Sequence, residues 1–119
     1  TGDVIALDQP MHFGPESPLI EMPISWSLDD YPHFEFVQTK NYRLQGLMPA
    51  QGVLQNWLDD FDYMRRSAEW GVLTYTCHPF VSGRGHRMLM LERLIAGLQK
   101  FGAAFRTMEE AAGEWSRRE

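Results

Sequence analysis

A strand-like run that ends in a histidine and leads into a glycine-rich helix start is the feature that most constrains the fold of this chain. Residues 73–77 (Leu-Thr-Tyr-Thr-Cys) favour an extended backbone, and Pro79 biases the intervening His78 toward extended geometry as well. Gly83 and Gly85 then punctuate a polar stretch at the start of a helix. In α/β folds, chemistry lies at the carboxyl ends of strands, where the following loop is free to vary. This stretch therefore predicts an α/β fold with a functional site at His78.

Strand-like and helical segments alternate along the whole chain. Extended runs are predicted at 4–7, 19–26, 72–77 and 103–106, and helices at 49–71, 86–101 and 107–115. Thr107 and Glu110 form a capping box at the start of the last helix, and the aromatic-rich segment 27–48 is predicted to be a long functional loop. Such alternation predicts parallel strands joined by right-handed crossovers. Because about three or four strands cannot close an eight-stranded barrel, residues 1–119 are interpreted as a single partial domain of a larger barrel or as a small open sheet.

The composition excludes several classes of function. A hydrophobic fraction of 44% and an aromatic fraction of 13% are typical of a globular chain, and no apolar run approaches the roughly 18 residues that cross a bilayer. A net charge of −5 argues against binding to nucleic acid or to a membrane surface. Cys77 is the single cysteine, so no internal disulfide can form. We expect a cytoplasmic protein.

His78 is the first candidate for chemistry. A histidine at the end of a strand can act as a general acid or base near neutral pH. Side chains alternate along a strand, so Cys77 faces the opposite side and cannot form a nucleophile and base pair with His78. The alternative interpretation is a histidine that is hydrogen-bonded at a strand terminus and has no catalytic role.

Two further groups of polar residues accompany His78. Asp29 and Asp30 could be paired carboxylates that support a histidine, or turn formers before a proline. A second group lies where the loop becomes a helix and could orient an anionic substrate, or could be ordinary loop solvation; its members are Arg84, His86 and Arg87. The aromatic side chain of Trp26 could stack on a sugar ring, or pack in the core. No pair of residues shows metal-ligand spacing, so we predict no metal held wholly by this chain.

Two segments carry a family resemblance. Residues 19–32 (Leu-Ile-Glu-Met-Pro-Ile-Ser-Trp-Ser-Leu-Asp-Asp-Tyr-Pro) and residues 76–95 (Thr-Cys-His-Pro-Phe-Val-Ser-Gly-Arg-Gly-His-Arg-Met-Leu-Met-Leu-Glu-Arg-Leu-Ile) resemble the C-terminal half of polysaccharide deacetylases. The branch that they resemble contains peptidoglycan deacetylase-like proteins, metal-independent allantoinases and cyclic imide hydrolases. The resemblance spans the chain from about Ile5 to Trp115.

The resemblance implies a fold, a cofactor and a set of residue roles. The implied fold is a distorted (β/α) barrel whose metal-dependent members hydrolyse an N-acetyl amide with a divalent ion such as zinc, held by ligands in the family's N-terminal half. By the same resemblance, His78 matches the late histidine that protonates the leaving amine, and the region of Asp29 and Asp30 is similar to the acidic motif that supports the site. The resemblance also matches Arg84, His86 and Arg87 to the loop that follows this histidine. Gly85 departs from the proline that this loop is expected to contain.

The function implied by the resemblance is a bacterial hydrolase of carbon–nitrogen bonds other than peptide bonds. Its substrate would be an N-acetylated carbohydrate or a related small amide. The barrel would be completed by an N-terminal half of the same protein or by a second subunit, so we expect this chain alone to be inactive and to associate into an oligomer. The alternative is a non-catalytic α/β saccharide-binding module that uses Trp26 and Tyr31.

Overall fold

A computed structural model describes residues 18–118 of the chain. Two long helices dominate it, and three shorter helices lie before, between and after them in the chain. The helices span Asp30–Phe34 (α1), Ala50–Ser67 (α2), Pro79–Ser82 (α3), Gly85–Lys100 (α4) and Met108–Ser116 (α5), and a 3-10 helix spans Trp26–Leu28. Strands β1 (Val37–Gln38) and β2 (Arg43–Leu44) pair antiparallel, with Val37 opposite Leu44.

The core lies between α2 and α4. Its buried apolar side chains come from both long helices, from the 3-10 helix, and from α1 and α3; they are Leu28, Phe34, Val53, Trp57, Val81, Met90, Leu94 and Leu98. Burial of an apolar side chain of this size contributes about 1.5–3 kcal/mol. Gly97 lets the helices approach closely, since a Cβ at this position would lie 2.7 Å from Cδ2 of Leu58. The two helices therefore form a rigid support on one side of residues 72–78.

Trp57 connects this core to the segment that carries the acidic residues. Its side chain is fully buried, and its indole Nε1 donates a hydrogen bond of 2.7 Å to the carbonyl oxygen of Ser27. The hydroxyl of Tyr75 donates in turn to the carbonyl oxygen of Trp57, at 2.9 Å. One helix position thus fixes both the chain before Asp29 and the chain before His78.

The predicted long helices and the last helix are confirmed, and the predicted strands are corrected. Thr107 and Glu110 form the predicted capping box at the start of α5. The strand predicted at 19–26 is corrected, because residues 19–25 form no ladder with other residues of 18–118 and Trp26 begins the 3-10 helix. Residues 103–106 likewise form no strand with any described residue. The predicted loop at 27–48 instead contains α1 and the β1–β2 hairpin, and the predicted strand at 4–7 lies outside the described residues.

With other described residues, the segment 72–77 forms only an isolated parallel bridge, between Thr76 and Asp29. β-branched and aromatic residues favour extended geometry, but a strand also needs a neighbour to accept and donate its backbone hydrogen bonds. Residues 18–118 supply such a neighbour at that bridge alone. They do not by themselves form a barrel, so the barrel stays a prediction.

An apolar cavity of about 720 Å³ lies between α2, α4 and two chain segments, residues 72–77 and residues 103–106. Its wall includes Leu73, Tyr75 and Cys77 from one segment and Phe105 from the other. Phe105 is 51% exposed, which is high for a side chain that lines an apolar cavity. None of the helices that the structure describes is both long and apolar enough to cross a membrane.

Candidate active site

The site begins where two chain segments meet side by side. The backbone N–H of Thr76 donates to the carbonyl oxygen of Leu28 at 2.9 Å, and the N–H of Asp30 donates to the carbonyl oxygen of Thr76 at 3.0 Å. These bonds join the end of the extended segment 72–77 to the start of α1. Because Asp30 begins that helix and His78 follows that segment, their side chains are brought to the same point.

Asp30 and His78 form a hydrogen-bonded pair. Nδ1 of His78 lies 2.7 Å from Oδ1 of Asp30, and the backbone N–H of His78 donates to Oδ2 at 2.9 Å. Asp30 has no exposed surface, whereas the side chain of His78 is 36% exposed. An ionised carboxylate only accepts hydrogen bonds, so Nδ1 carries a proton in this pair. Nε2 has no hydrogen-bond partner among residues 18–118 and is the nitrogen that can face a substrate.

The pair favours the charged form of the imidazole. The hydrogen bond to Asp30 raises the pKa of His78 above its ordinary value of 6.5; desolvation opposes the shift, and the negative charges of Asp30 and Asp29 add to it. The raised pKa increases the fraction of His78 that carries the second proton near neutral pH, which favours a role as general acid. The arrangement can therefore hold a proton on Nε2 and deliver it to a leaving group.

The two aspartates have different positions. Asp29 is the N-cap of α1, and its Oδ1 accepts a hydrogen bond of 2.8 Å from the backbone N–H of Tyr31. The same carboxylate lies 3.8 Å from Nδ1 of His78, beyond hydrogen-bond distance. Asp29 thus occupies the helix-capping position that the turn interpretation favoured, while Asp30 lies against the imidazole.

Two residues at the site were missed by the sequence analysis. Ser82 is buried and donates to Oδ2 of Asp30 at 2.5 Å. Phe80 packs edge-on to the ring of His78, with 5.6 Å between ring centroids, and Tyr31 packs edge-on to both rings, 5.8 Å from His78 and 6.2 Å from Phe80. Pro79 was the available signal, because proline is common at the first helical position and a helix there places residue 82 one turn after His78.

The structure places the three polar residues that follow His78 in different environments. Arg84 and His86 are exposed at the start of α4. Arg87 is buried, and its guanidinium donates to the carbonyl oxygens of Val81 at 2.7 Å and Phe34 at 3.2 Å. It also lies over the ring of Phe34, 4.6 Å from the centroid. Arg87 therefore ties α1 to α3.

Trp26 and Cys77 are two further residues that the sequence analysis considered. Trp26, which was considered for sugar stacking, is 81% exposed in the 3-10 helix. Cys77 lines the apolar cavity. Burial of its thiol raises the pKa of Cys77, the charge of Asp30 adds to this, and a hydrogen bond with Ser82 opposes it.

Asp29, Asp30 and His78 offer ligand atoms that lie within 4.8 Å of one another, which raises the question of a metal ion. Zinc binds nitrogen and oxygen ligands at about 2.0–2.2 Å and needs unshared lone pairs. Both oxygens of Asp30 already accept hydrogen bonds, and Nδ1 of His78 is bonded directly to one of them. These residues fit a hydrogen-bonded acid and its support, and they do not fit a metal ion.

Comparison with known proteins identifies a relative of this chain. The chain is 33% identical over 111 residues, or 92% of its length, to a Helicobacter pylori protein named peptidoglycan deacetylase. This match confirms the predicted resemblance to polysaccharide deacetylases. The aligned chain spans 38% of the length of that deacetylase. No protein-family model matches the chain.

Proposed function

We propose that this chain supplies the general acid of an amide hydrolase that removes acetyl groups from N-acetylated carbohydrate. The observation that carries the proposal is the 2.7 Å bond between Nδ1 of His78 and the buried carboxylate of Asp30, which leaves Nε2 directed away from its support. The name of the deacetylase relative supports the reaction class and the carbohydrate substrate.

The chemistry assigned to His78 is the transfer of one proton. When water adds to the amide carbonyl, the tetrahedral intermediate collapses by breaking the carbon–nitrogen bond, and the departing amine needs a proton. Nε2 of the imidazolium donates that proton, and the N–H at Nδ1 stays hydrogen-bonded to Asp30. Proton transfer by a positioned group contributes about 10²- to 10⁴-fold in rate. The products are acetate and a free amine.

The surrounding residues have proposed roles in binding. The exposed indole of Trp26 presents a flat apolar face on which a sugar ring can stack. Arg84 and His86 lie exposed at the start of α4 and offer donors to polar substrate groups. The carboxylate of Asp29 adds negative charge near the imidazolium.

The complete active site includes a part of the protein beyond this chain. The exposed apolar wall of the 720 Å³ cavity, and the single bridge that residues 72–77 form within the described range 18–118, support docking of further strands there. The chain also spans 38% of its deacetylase relative. We therefore propose that an N-terminal part of the same barrel, or a second subunit, completes the site. We expect the ligands of the divalent ion that the resemblance implies to lie in that part.

The test measures acetate release from N-acetylglucosamine oligomers and from peptidoglycan by the complete native polypeptide. His78→Gln should lower kcat by about 10²- to 10⁴-fold, since it removes the proton donor. His33→Gln is the matched control, because His33 lies in α1 outside the site and bonds the carbonyl oxygen of Ser27. Equal activity of His78→Gln and the unsubstituted protein would refute the assignment of the acid, and turnover of allantoin or a cyclic imide alone would refute the carbohydrate substrate.

A saccharide-binding module is the second candidate, favoured by the 81% exposure of Trp26. It predicts that N-acetylglucosamine oligomers bind and are recovered intact. Trp26→Ala would then abolish binding, while His78→Gln would leave binding unchanged. Release of acetate by the complete protein decides between the two functions.

A further inference from the structure

Ser82 is connected to the Asp30–His78 pair by both its side chain and its backbone. Its hydroxyl donates to Oδ2 of Asp30 at 2.5 Å, and its backbone N–H donates to the carbonyl oxygen of His78 at 2.8 Å. Ser82 is 3% exposed and ends the short helix α3 that Pro79 begins. The same helical turn therefore holds the histidine and reaches back to the carboxylate.

Among the described residues, His78 and Ser82 supply all the hydrogen bonds that the Asp30 carboxylate accepts. Oδ1 accepts a hydrogen bond from Nδ1–H of His78, and Oδ2 accepts hydrogen bonds from the backbone N–H of His78 and from the hydroxyl of Ser82. The terminal torsion of an aspartate is broad and has no strong rotameric preference of its own. Two donors on Oδ2 fix that torsion, and the position of Oδ1 relative to the imidazole follows from it.

We propose that Ser82 is a positioning residue for the proton donor: its hydroxyl holds the Asp30 carboxylate in the orientation that keeps the His78 imidazole aimed at the substrate. The inference rests on the proposed function and extends it to a residue that touches neither the imidazole ring nor a substrate. Without the hydroxyl, Oδ2 retains one backbone donor, and the carboxylate can rotate away from Nδ1.

The charged and titratable groups around the pair are few among the described residues. Asp30 and Asp29 face His78 from the start of α1, Tyr31 of the same helix packs edge-on to its ring, and Cys77 bonds Ser82 from the preceding segment. The hydrogen bond to Asp30 is the largest cause of the raised pKa of His78. A carboxylate that rotates away therefore lowers the pKa of His78, whereas a carboxylate that stays in place but loses a donor accepts the Nδ1–H bond more strongly and raises the pKa of His78.

The experiment compares Ser82→Ala and Ser82→Cys in the complete native polypeptide. Selective labelling of histidine and NMR titration give the pKa of His78, and acetate release from N-acetylglucosamine oligomers gives kcat and KM. Both variants should lower the pKa of His78 toward 6.5. Both should also lower kcat by about tenfold, a part of the 10²–10⁴ that positioned proton transfer supplies, with KM unchanged. Ser67→Ala is the matched control, because the hydroxyl of Ser67 bonds the carbonyl oxygen of Tyr63 at the end of α2.

Each result has a defined meaning. Cysteine has nearly the volume of serine and is a weak donor, so full recovery of both the pKa and kcat in Ser82→Cys, with a loss in Ser82→Ala, would show that the strong hydroxyl donor is not what positions Asp30. An unchanged or raised pKa of His78 in folded variants would also overturn the inference. The titration does not require turnover, so an inactive protein whose His78 pKa falls in both variants would refute the proposed function and support the positioning role.

Discussion

Asp30→Asn is the substitution that tests the reasoning about the site most directly. It preserves the shape of a fully buried side chain and replaces one accepting oxygen by a donating amide. Oδ2 faces two donors, the backbone N–H of His78 and the hydroxyl of Ser82, so the amide oxygen should take this place. The amide NH₂ then faces Nδ1 of His78, where Oδ1 accepted a bond of 2.7 Å.

The expected effects follow because the hydrogen bond between residue 30 and Nδ1 of His78 now runs in the opposite direction. Nδ1 must now accept a hydrogen bond, which requires a neutral imidazole, so the pKa of His78 should fall below 6.5. Loss of the imidazolium should lower kcat at pH 7 by about 10²- to 10⁴-fold. The two retained bonds change from charged to neutral and weaken by about 1 kcal/mol each, so the free energy of unfolding should decrease by about 2 kcal/mol.

The assay is acetate release between pH 5.5 and 9, combined with NMR titration of His78 and urea unfolding. Asp29→Asn is the matched comparison, because asparagine is as good an N-cap as aspartate and the charge that it removes lies 3.8 Å from Nδ1. It should cause a smaller fall in the pKa of His78, and a smaller loss of kcat, than Asp30→Asn. If Asp30→Asn keeps its kcat within about twofold and His78 titrates at the same pH, then the carboxylate does not support the acid and the reasoning is refuted.

Two further predictions concern stability. The raised pKa of His78 stabilises the folded state fully below the unfolded-state pKa of about 6.5, and this contribution is lost as the pH rises through the folded-state pKa. The urea midpoint of the unsubstituted protein should therefore fall between pH 6 and pH 8, and it should fall more steeply than the midpoint of His78→Gln. Parallel slopes for the two proteins would contradict this. Thr107→Ala removes the side-chain bond to the backbone N–H of Glu110 and should decrease the free energy of unfolding by about 1 kcal/mol without changing the pKa of His78; no measurable change in the urea midpoint would show that the cap does not stabilise α5.

The helices were predictable because their signals are local. The apolar spacing in Ala50–Ser67 and Gly85–Lys100 and the capping residues Thr107 and Glu110 act within a few turns of the chain, and the structure has helices at these places. The strands were not predictable in the same way. Residues 72–77 have the composition of a strand, but a ladder depends on a neighbour that need not be close in sequence, and the described chain supplies one bridge.

The sequence by itself determined that a histidine follows an extended run and precedes a helix start, because proline and glycine restrict the backbone wherever they occur. Only the tertiary structure decided which aspartate supports that histidine. Asp29 caps α1, Asp30 bonds the imidazole, Ser82 bonds Asp30, and Arg87 is buried in bonds to carbonyl oxygens. Hydrogen bonds between Asp30 and residues 48 and 52 positions later depend on how segments meet in space, which the local preferences of the chain do not specify.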